Sequence, residues 1–494
     1  MRTRLARLAV ATLIVLWAAP SAIASELGDD LAARRGRMME RLGPEAMLIL
    51  FSAPVRNYSH DVDYEYRQDS NLYYLTGMTQ DETMLVLMPG NATRREILFV
   101  RDRDPVREHW QGRLMSRDQA AAHSGVRTVL SNRDFEPFVA AMLSRRPFGQ
   151  VDDTEAAAFF QALEGGSARV AFALDAGGAA DPLTPAQDLA RRVRERYVGF
   201  QTIDTSSHLV DLRLVKTPYE RALLIRSVEI SNEAQMAGML AAKPGAYEYE
   251  VEAAIEAVHR AHGAATQSYP SIVGSGPNAT ILHYNDSTRQ MQAGELLLVD
   301  AASAYEYMAA DITRTYPVSG RFSDVQKDLY ALVLEAQEAG IEAARPGATL
   351  VEIHNRTVEV IKAGLLRLGL ITDAAGDQYR MWYTHGACHY LGIDVHDVGD
   401  RRRPLVPGMA FVIEPGVYIR QSALDALPHT PENQALIERL QPAVDKYLDI
   451  GVRIEDAFLL EEAGLRRMTA GLPRTIAEVE AFMQTRRPAP SAAR

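Results

Sequence analysis

The sequence predicts an α+β fold in which an α/β domain precedes a second domain built from two related αα-ββ halves. Three observations lead there. Between about residues 35 and 200, short β-rich runs such as Met47-Leu48-Ile49-Leu50 and Ile97-Leu98-Phe99-Val100 alternate with helical patterns, as α/β domains do. At Thr217-Pro218-Tyr219-Glu220 the pattern changes: Thr217 as N-cap, Pro218 in the first turn and Glu220 three residues on form a capping box that opens a long helix. That helix ends in Pro244-Gly245-Ala246 and a second begins, and the same happens at Pro346-Gly347-Ala348, 102 residues later. A phrase recurring between helix pairs that are each followed by β-rich segments reads as an internal repeat.

At the N-terminus, Arg2, Arg4 and Arg7 precede an uncharged run over residues 8–20, and Ala22-Ile23-Ala24 offers a small-x-small cleavage site. This is the layout of a secretory signal over residues 1–24. Export to the periplasm is the expectation, with full secretion as the alternative. A single membrane anchor is the rival reading, but the run falls short of the ~18 residues that a spanning helix needs, so no stable membrane anchor is expected. Removing the three arginines moves the formal charge from −11 to −14. An acidic chain argues against nucleic-acid binding. Cys388 is the only cysteine, so stability comes from packing rather than from an intramolecular disulfide, even in an oxidising compartment.

The domain boundary is expected near residue 210, giving an N-terminal domain over 25–210 and a second over 211–485. The helix after the boundary sets Leu223, Ile230, Ala234 and Ala237 on one face. Residues 486–494, rich in Pro, Ala and Arg, read as a disordered tail. A homo-oligomer is the expected assembly.

The chemistry gathers in the second domain. Asp300 closes Glu295-Leu-Leu-Leu-Val-Asp300, and Asp311 opens Asp311-Ile-Thr-Arg-Thr-Tyr316. A β-hairpin with ten intervening residues lets the two aspartates sit directly opposite on one face, ~5 Å apart. Like charges that close repel. An exposed pair at strand ends is the bland explanation, and a divalent metal between them the sharper one. His385, His389 and His396 then fall within twelve residues of a chain with twelve histidines. A His-x-x-x-His helix would suggest zinc, but no Glu follows the first His, and Gly386 and Gly392 disfavour a helix. One histidine as ligand, with the others as acid/base or hydrogen-bonding groups, fits better.

Glu414 and Glu455 each stand inside an otherwise apolar strand pattern, Ala410-Phe-Val-Ile-Glu414 and Gly451-Val-Arg453-Ile-Glu455. A carboxylate is rarely buried without a partner, since desolvation costs several kcal/mol. An ion pair of Glu455 with Arg453 would explain one glutamate and leave the other unpaired. His283, directly upstream of the hairpin, means little alone. Together, four carboxylates and one imidazole make a mostly hard oxygen-donor site that favours manganese, with cobalt, iron or zinc as alternatives. Bridging carboxylates imply two ions ~3.5–4 Å apart.

At these residues the sequence resembles the pita-bread metallopeptidases and, within them, the aminopeptidase P group of Xaa-Pro aminopeptidases. The resemblance runs over essentially the whole chain after the signal, because five motifs occur in the family's order and spacing. Segment 66–77 resembles the group's N-terminal domain. The resemblance implies a pita-bread fold for residues 211–485 and a dinuclear aminopeptidase acting on peptides with proline second. It assigns Asp300, Asp311, His389, Glu414 and Glu455 as metal ligands, Asp311 and Glu455 bridging. It makes His283, His385 and His396 groups that hold the substrate and stabilise the tetrahedral intermediate, and Glu414 the general base. Tyr418 and Arg453 match partners that orient the ligands, and Arg401 matches a substrate-contacting arginine. One departure is the long segment 419–450, with a helix-like stretch at 430–439. Two rivals remain: a prolidase restricted to Xaa-Pro dipeptides, and a metal-free creatinase-like hydrolase or binding module.

Overall fold

The computed structural model describes residues 20–149, 154–174, 177–178 and 180–485. They form two compact units dividing between Thr205 and Ser206. Residue 210, where the sequence puts the boundary, lies inside the helix Ser206–Leu214. Most of the proposed signal and the whole tail at 486–494 lie outside the described residues; 20–24 open the helix Pro20–Leu42. Among the described residues, no helix is long and apolar enough to cross a membrane.

The first unit is a six-stranded mixed sheet in the order Thr128–Ser131, Glu96–Val100, Met84–Leu87, Ala46–Phe51, Ala168–Phe172 and Phe200–Asp204. The three strands from Glu96–Val100 to Ala46–Phe51 are antiparallel, and the others join in parallel. Met47, Leu48, Ile49 and Leu50 are all buried, which is why this strand is apolar throughout instead of alternating. Within segment 66–77, Asp69 caps the helix Ser70–Thr76 by accepting from the amides of Asn71 and Leu72, and Gly77 ends it at φ 65°.

In the second unit, two helix pairs each precede a set of strands. Pro218–Ala241 and Glu248–Ala261 lead into Ile272–Ser275, Leu296–Asp300 and Thr313–Pro317. Asp324–Ala343 and Leu350–Arg367 lead into Ala410–Ile413, Gly416–Ile419, Ile450–Arg453 and Asp456–Glu461. The capping box at Thr217 and Glu220 forms in both directions. The buried face of Pro218–Ala241 differs from the expected one. Ile230 and Ala234 are buried, but Leu223 and Ala237 are only half-buried, and Ser227, Ser231 and Gln235 take the core side. Those polar groups are buried because they bond backbone of the following strands: Ser227 Oγ donates to the Ser303 carbonyl at 2.7 Å. A search for apolar periodicity passes over such a face.

The helix Pro431–Tyr447 fills the long segment after Tyr418. It buries Leu440, Val444 and Tyr447 and ties to Asp328 of Asp324–Ala343 through Tyr447 Oη at 2.8 Å.

Candidate active site

Asp300 ends a fully buried strand paired antiparallel with Thr313–Pro317. The register sets Thr313, not Asp311, opposite Asp300. The ladder then opens and resumes as Ser303–Tyr305 with Met308–Ala309, joined by Glu306-Tyr307 at φ 46° and 64°, the signature of a tight hairpin turn. That turn lies one residue later than opposed aspartates require, so the expected pairing is off by two. A shift of two keeps both side chains on one face. Oxygens of Asp300, Asp311 and Glu455 accordingly lie within 4.8 Å of one another.

The glutamates also stand in a break. Ladders run from Ala410–Ile413 to Asp456–Glu461 and from Gly416–Ile419 to Ile450–Arg453, and between Ile413↔Asp456 and Gly416↔Arg453 the shared register leaves Glu414 facing Glu455. Neither is inside a strand, as the apolar pattern implied. Pro415 has no N–H to give the ladder, which opens it there.

Segment 385–396 is irregular, without a helix. His389 Nδ1 donates to the Tyr390 carbonyl at 3.1 Å, since a carbonyl only accepts. Its Nε2 therefore turns to Asp311 at 3.3 Å, Glu414 at 3.7 Å and Glu455 at 4.0 Å. His385 Nδ1 donates to the Gly386 carbonyl at 2.9 Å, leaving Nε2 to accept from Tyr418 Oη at 2.8 Å. Burial, then the charge of Arg453, pushes His385 down to about 3, so it stands neutral.

Arg453 forks between Asp300 Oδ2 at 2.5 Å, Tyr418 Oη at 2.9 Å and Thr313 Oγ1 at 3.0 Å. The ion pair considered for it with Glu455 does not form; its carboxylate partner is Asp300. Thr313 Oγ1 in turn donates a hydrogen bond to Glu455 Oε2 at 2.9 Å. Tyr269 Oη donates to Asp300 Oδ1 at 2.5 Å. Sequence reasoning missed Tyr269 and Thr313: neither belongs to a spaced set of ligand-type residues.

Burial pushes Glu455 well above the usual carboxylate range, and Asp311, Glu414 and Asp300 push it further. Glu414 is raised to about 7, again by burial, against the pull of His389 and Arg453. Burial would raise Asp311 too, but the His389 hydrogen bond and charge hold it below its ordinary value. His389 rises to about 9: burial opposes its charge, and Asp311 prevails. The His389 imidazole and the Arg453 guanidinium together cannot neutralise four clustered carboxylates, and Glu455 Oε1 is buried with no hydrogen-bond partner among the described residues. Donor atoms fall into three overlapping groups, each within 4.8 Å: Asp300, Asp311 and Glu455; His389, Glu414 and Glu455; Asp311, His389 and His396. An orphaned oxygen amid hard donors fits divalent cations.

His283, His385, His396 and Arg401 line the same cleft as the five ligand candidates. His283, His396 and Arg401 are exposed at its mouth, and His385 is half-buried. His396 stacks edge-on to His389 with centroids 4.3 Å apart, nearer the donor set than a group that only touches substrate requires.

Residues 222–462 match metallopeptidase family M24, and residues 31–150 match the aminopeptidase P N-terminal domain. The Xaa-Pro aminopeptidase of Escherichia coli K12 is 34% identical over 468 residues, covering 92% of this chain and 97% of the relative. The structure of Pseudomonas aeruginosa aminopeptidase PepP superposes with TM-score 0.77 at 35% identity, covering 94% of this chain and 98% of that one. Zinc-substituted E. coli aminopeptidase P in complex with product superposes with TM-score 0.77 at 33% identity, over 93% and 99%. With both domains matched and near-complete coverage, the chain belongs to metallopeptidase family M24, in its aminopeptidase P group.

Proposed function

We infer that the protein is a metal-dependent aminopeptidase hydrolysing the bond between the N-terminal residue of a peptide and a following proline. The observation that carries it is the convergence of Asp300, Asp311, His389, Glu414 and Glu455 on one cleft in overlapping groups of donor atoms, in a chain of this family. Asp300, Asp311, His389, Glu414 and Glu455 would hold two divalent ions, which supply charge that polarises an amide carbonyl and lowers the pKa of water. The oxygen-rich donor set favours manganese, with cobalt, iron and zinc as competitors.

The remaining steps belong to the chain's own groups. Glu414 accepts the proton of the attacking water and returns it to the leaving nitrogen, as a general base that becomes a general acid. His283 and His396, exposed at the mouth, donate to the oxygen on which charge develops. His385, locked by Tyr418 and Arg453, keeps the wall beside Glu414 in one geometry. The amide nitrogen of proline carries no hydrogen, so the cleft grips its ring by shape.

Hydrolysis of Xaa-Pro-Yaa tripeptides, compared with Xaa-Ala-Yaa and Xaa-Pro dipeptides, tests the reading. Preference for the proline tripeptide is expected; cleavage confined to the dipeptide would make the protein a prolidase, and no cleavage of any of them would reject the activity. Export to the periplasm is proposed from Arg2, Arg4, Arg7 and the apolar run after them, to be read by cell fractionation. A homo-oligomer is proposed with it, to be read by light scattering.

A further inference from the structure

The two halves of the second unit share more than their helix ends. Residues 233–246 and 335–348 are identical at ten of fourteen aligned positions, beginning Glu233-Ala234-Gln235 and Glu335-Ala336-Gln337. Both glutamines sit on the first helix of their half, and both are fully buried. An amide NH2 has two donors, and each glutamine uses them on two backbone carbonyls. Gln235 Nε2 donates to Ala301 O at 3.0 Å and Ile312 O at 2.9 Å. Gln337 Nε2 donates to Ile413 O at 3.0 Å and Ile454 O at 3.1 Å.

These four carbonyls mark where the strand ladders open. Ala301 follows Asp300, Ile312 follows Asp311, Ile413 precedes Glu414 and Ile454 precedes Glu455. Each belongs to the immediate neighbour of a carboxylate ligand candidate. Opening a ladder to aim carboxylates inward thins its backbone bonds: Ile312 O keeps the Ala301 amide at 3.3 Å, but Pro415 has no N–H to offer Ile454 O, and a buried carbonyl left unsatisfied is costly. One side chain that bonds both edges of the gap removes that cost and ties the edges together. The helices lie close enough because Gly238 and Gly340 follow three residues later. A Cβ at Gly238 would meet Tyr316 Oη of the strand Thr313–Pro317 at 3.1 Å, and one at Gly340 would meet Ile413 Cγ2 of the strand Ala410–Ile413 at 3.1 Å.

We propose that Gln235 and Gln337 are matched positioning residues, each bracing one ladder break so that its two carboxylates face a common metal centre. Gln235 governs the Asp300 and Asp311 pair, and Gln337 governs the Glu414 and Glu455 pair. This rests on the two-ion reading above. Neither glutamine touches substrate or ion; each acts through backbone.

The test uses the full-length protein stripped of metal and titrated with Mn(II) alone by calorimetry, for the unmodified chain, Gln235→Met and Gln337→Met. Methionine keeps the length and removes both donors. Loss of ligand support costs about 10–100-fold in metal affinity, so each variant is expected to weaken Mn(II) by that factor. In crystals grown at limiting Mn(II), Gln235→Met should lose density first at Asp300, and Gln337→Met first at Glu414. Should a methionine variant fail to fold, the Gln→Glu variant replaces it: a buried Glu has at most one O–H donor, when protonated, and so cannot bond both edges of the gap, and metal loss is expected in the same order. Unmodified affinity in the folded variants, or equal loss at both positions in each, overturns the proposal alone. Failure of the unmodified chain to bind Mn(II) overturns the two-ion reading and the proposal with it.

Discussion

Glu414 is asked to hold metal and to move a proton, while Glu455, facing it across the same break, is buried beneath. Glu414→Gln keeps the shape and removes the basic oxygen. Its kcat on a proline tripeptide should fall about 10²–10⁴-fold, the range for losing a general base, with the melting temperature little changed; normal turnover would remove Glu414 from that role. His396 is a sharper case, because a ring nitrogen lies within 4.8 Å of donor atoms of Asp311 and His389. If it serves the oxyanion, His396→Ala lowers kcat and leaves metal content intact, whereas an ion lost per chain makes it a ligand. The ligand candidates were legible in the sequence because Asp, Glu and His at fixed spacings within apolar runs are chemically conspicuous. Tyr269 and Thr313 were not, since an aromatic or a hydroxyl is unremarkable in any strand. Arg453 was noticed, its pairing with Glu455 weighed only as the bland alternative, and spacing along one strand cannot reveal that its fork reaches across to Asp300.

At the level of elements, close approach of backbones decides what is tolerated. A Cβ on Gly451 would stand 1.9 Å from the Ala279 carbonyl, so the strand Ile450–Arg453 has no room to shift away from the turn Gly276–Thr280. Gly451→Ala is expected to cost about 1–3 kcal/mol, the scale of overpacking, read as a lowered denaturation midpoint; an unchanged midpoint would mean the contact relaxes freely. The loop carrying His396 is fastened by Asp397, which accepts from Arg213 at 2.6 Å and Lys216 at 2.9 Å, all three side chains buried. Asp397→Ala takes away the buried carboxylate on Lys216 and one of the two on Arg213, which keeps Asp394 at 2.6 Å, and should cost about 3–5 kcal/mol. Burial would raise the Asp397 carboxyl, but Lys216 and Arg213 outweigh it and hold it below the ordinary value. A depressed folded pKa stabilises above the unfolded value of ~3.9 and loses that stability as pH falls through the folded one. The gap between wild type and Asp397→Asn should therefore be constant at neutral pH and close below pH ~4; a gap that persists there contradicts the pairing. The helix start at Pro218 was readable from the capping box of Thr217 and Glu220, which is local. Strand register was not, because it depends on which two residues make the turn.

Across the whole molecule, the repeat of Pro-Gly-Ala, weak by itself, pointed to two related halves once helix pairs and β-rich segments were set beside it, and the comparisons bear out the family to which the five ligand-bearing motifs led. What that repeat withheld was its reason. Each half opens its strand ladder at the point where two carboxylates are needed, and bonds the opening from its own first helix. Sequence periodicity reports which side chains are apolar, and these bonds are polar and buried.

Five side chains from these two halves would hold the ions on which peptide hydrolysis depends. Metal content and Xaa-Pro-Yaa turnover, measured on one preparation before chelation, after exhaustive chelation and after Mn(II) is returned, test this most directly. Activity is expected to be lost with the metal and regained as about two ions per chain rebind. Full turnover by the metal-free protein would contradict it.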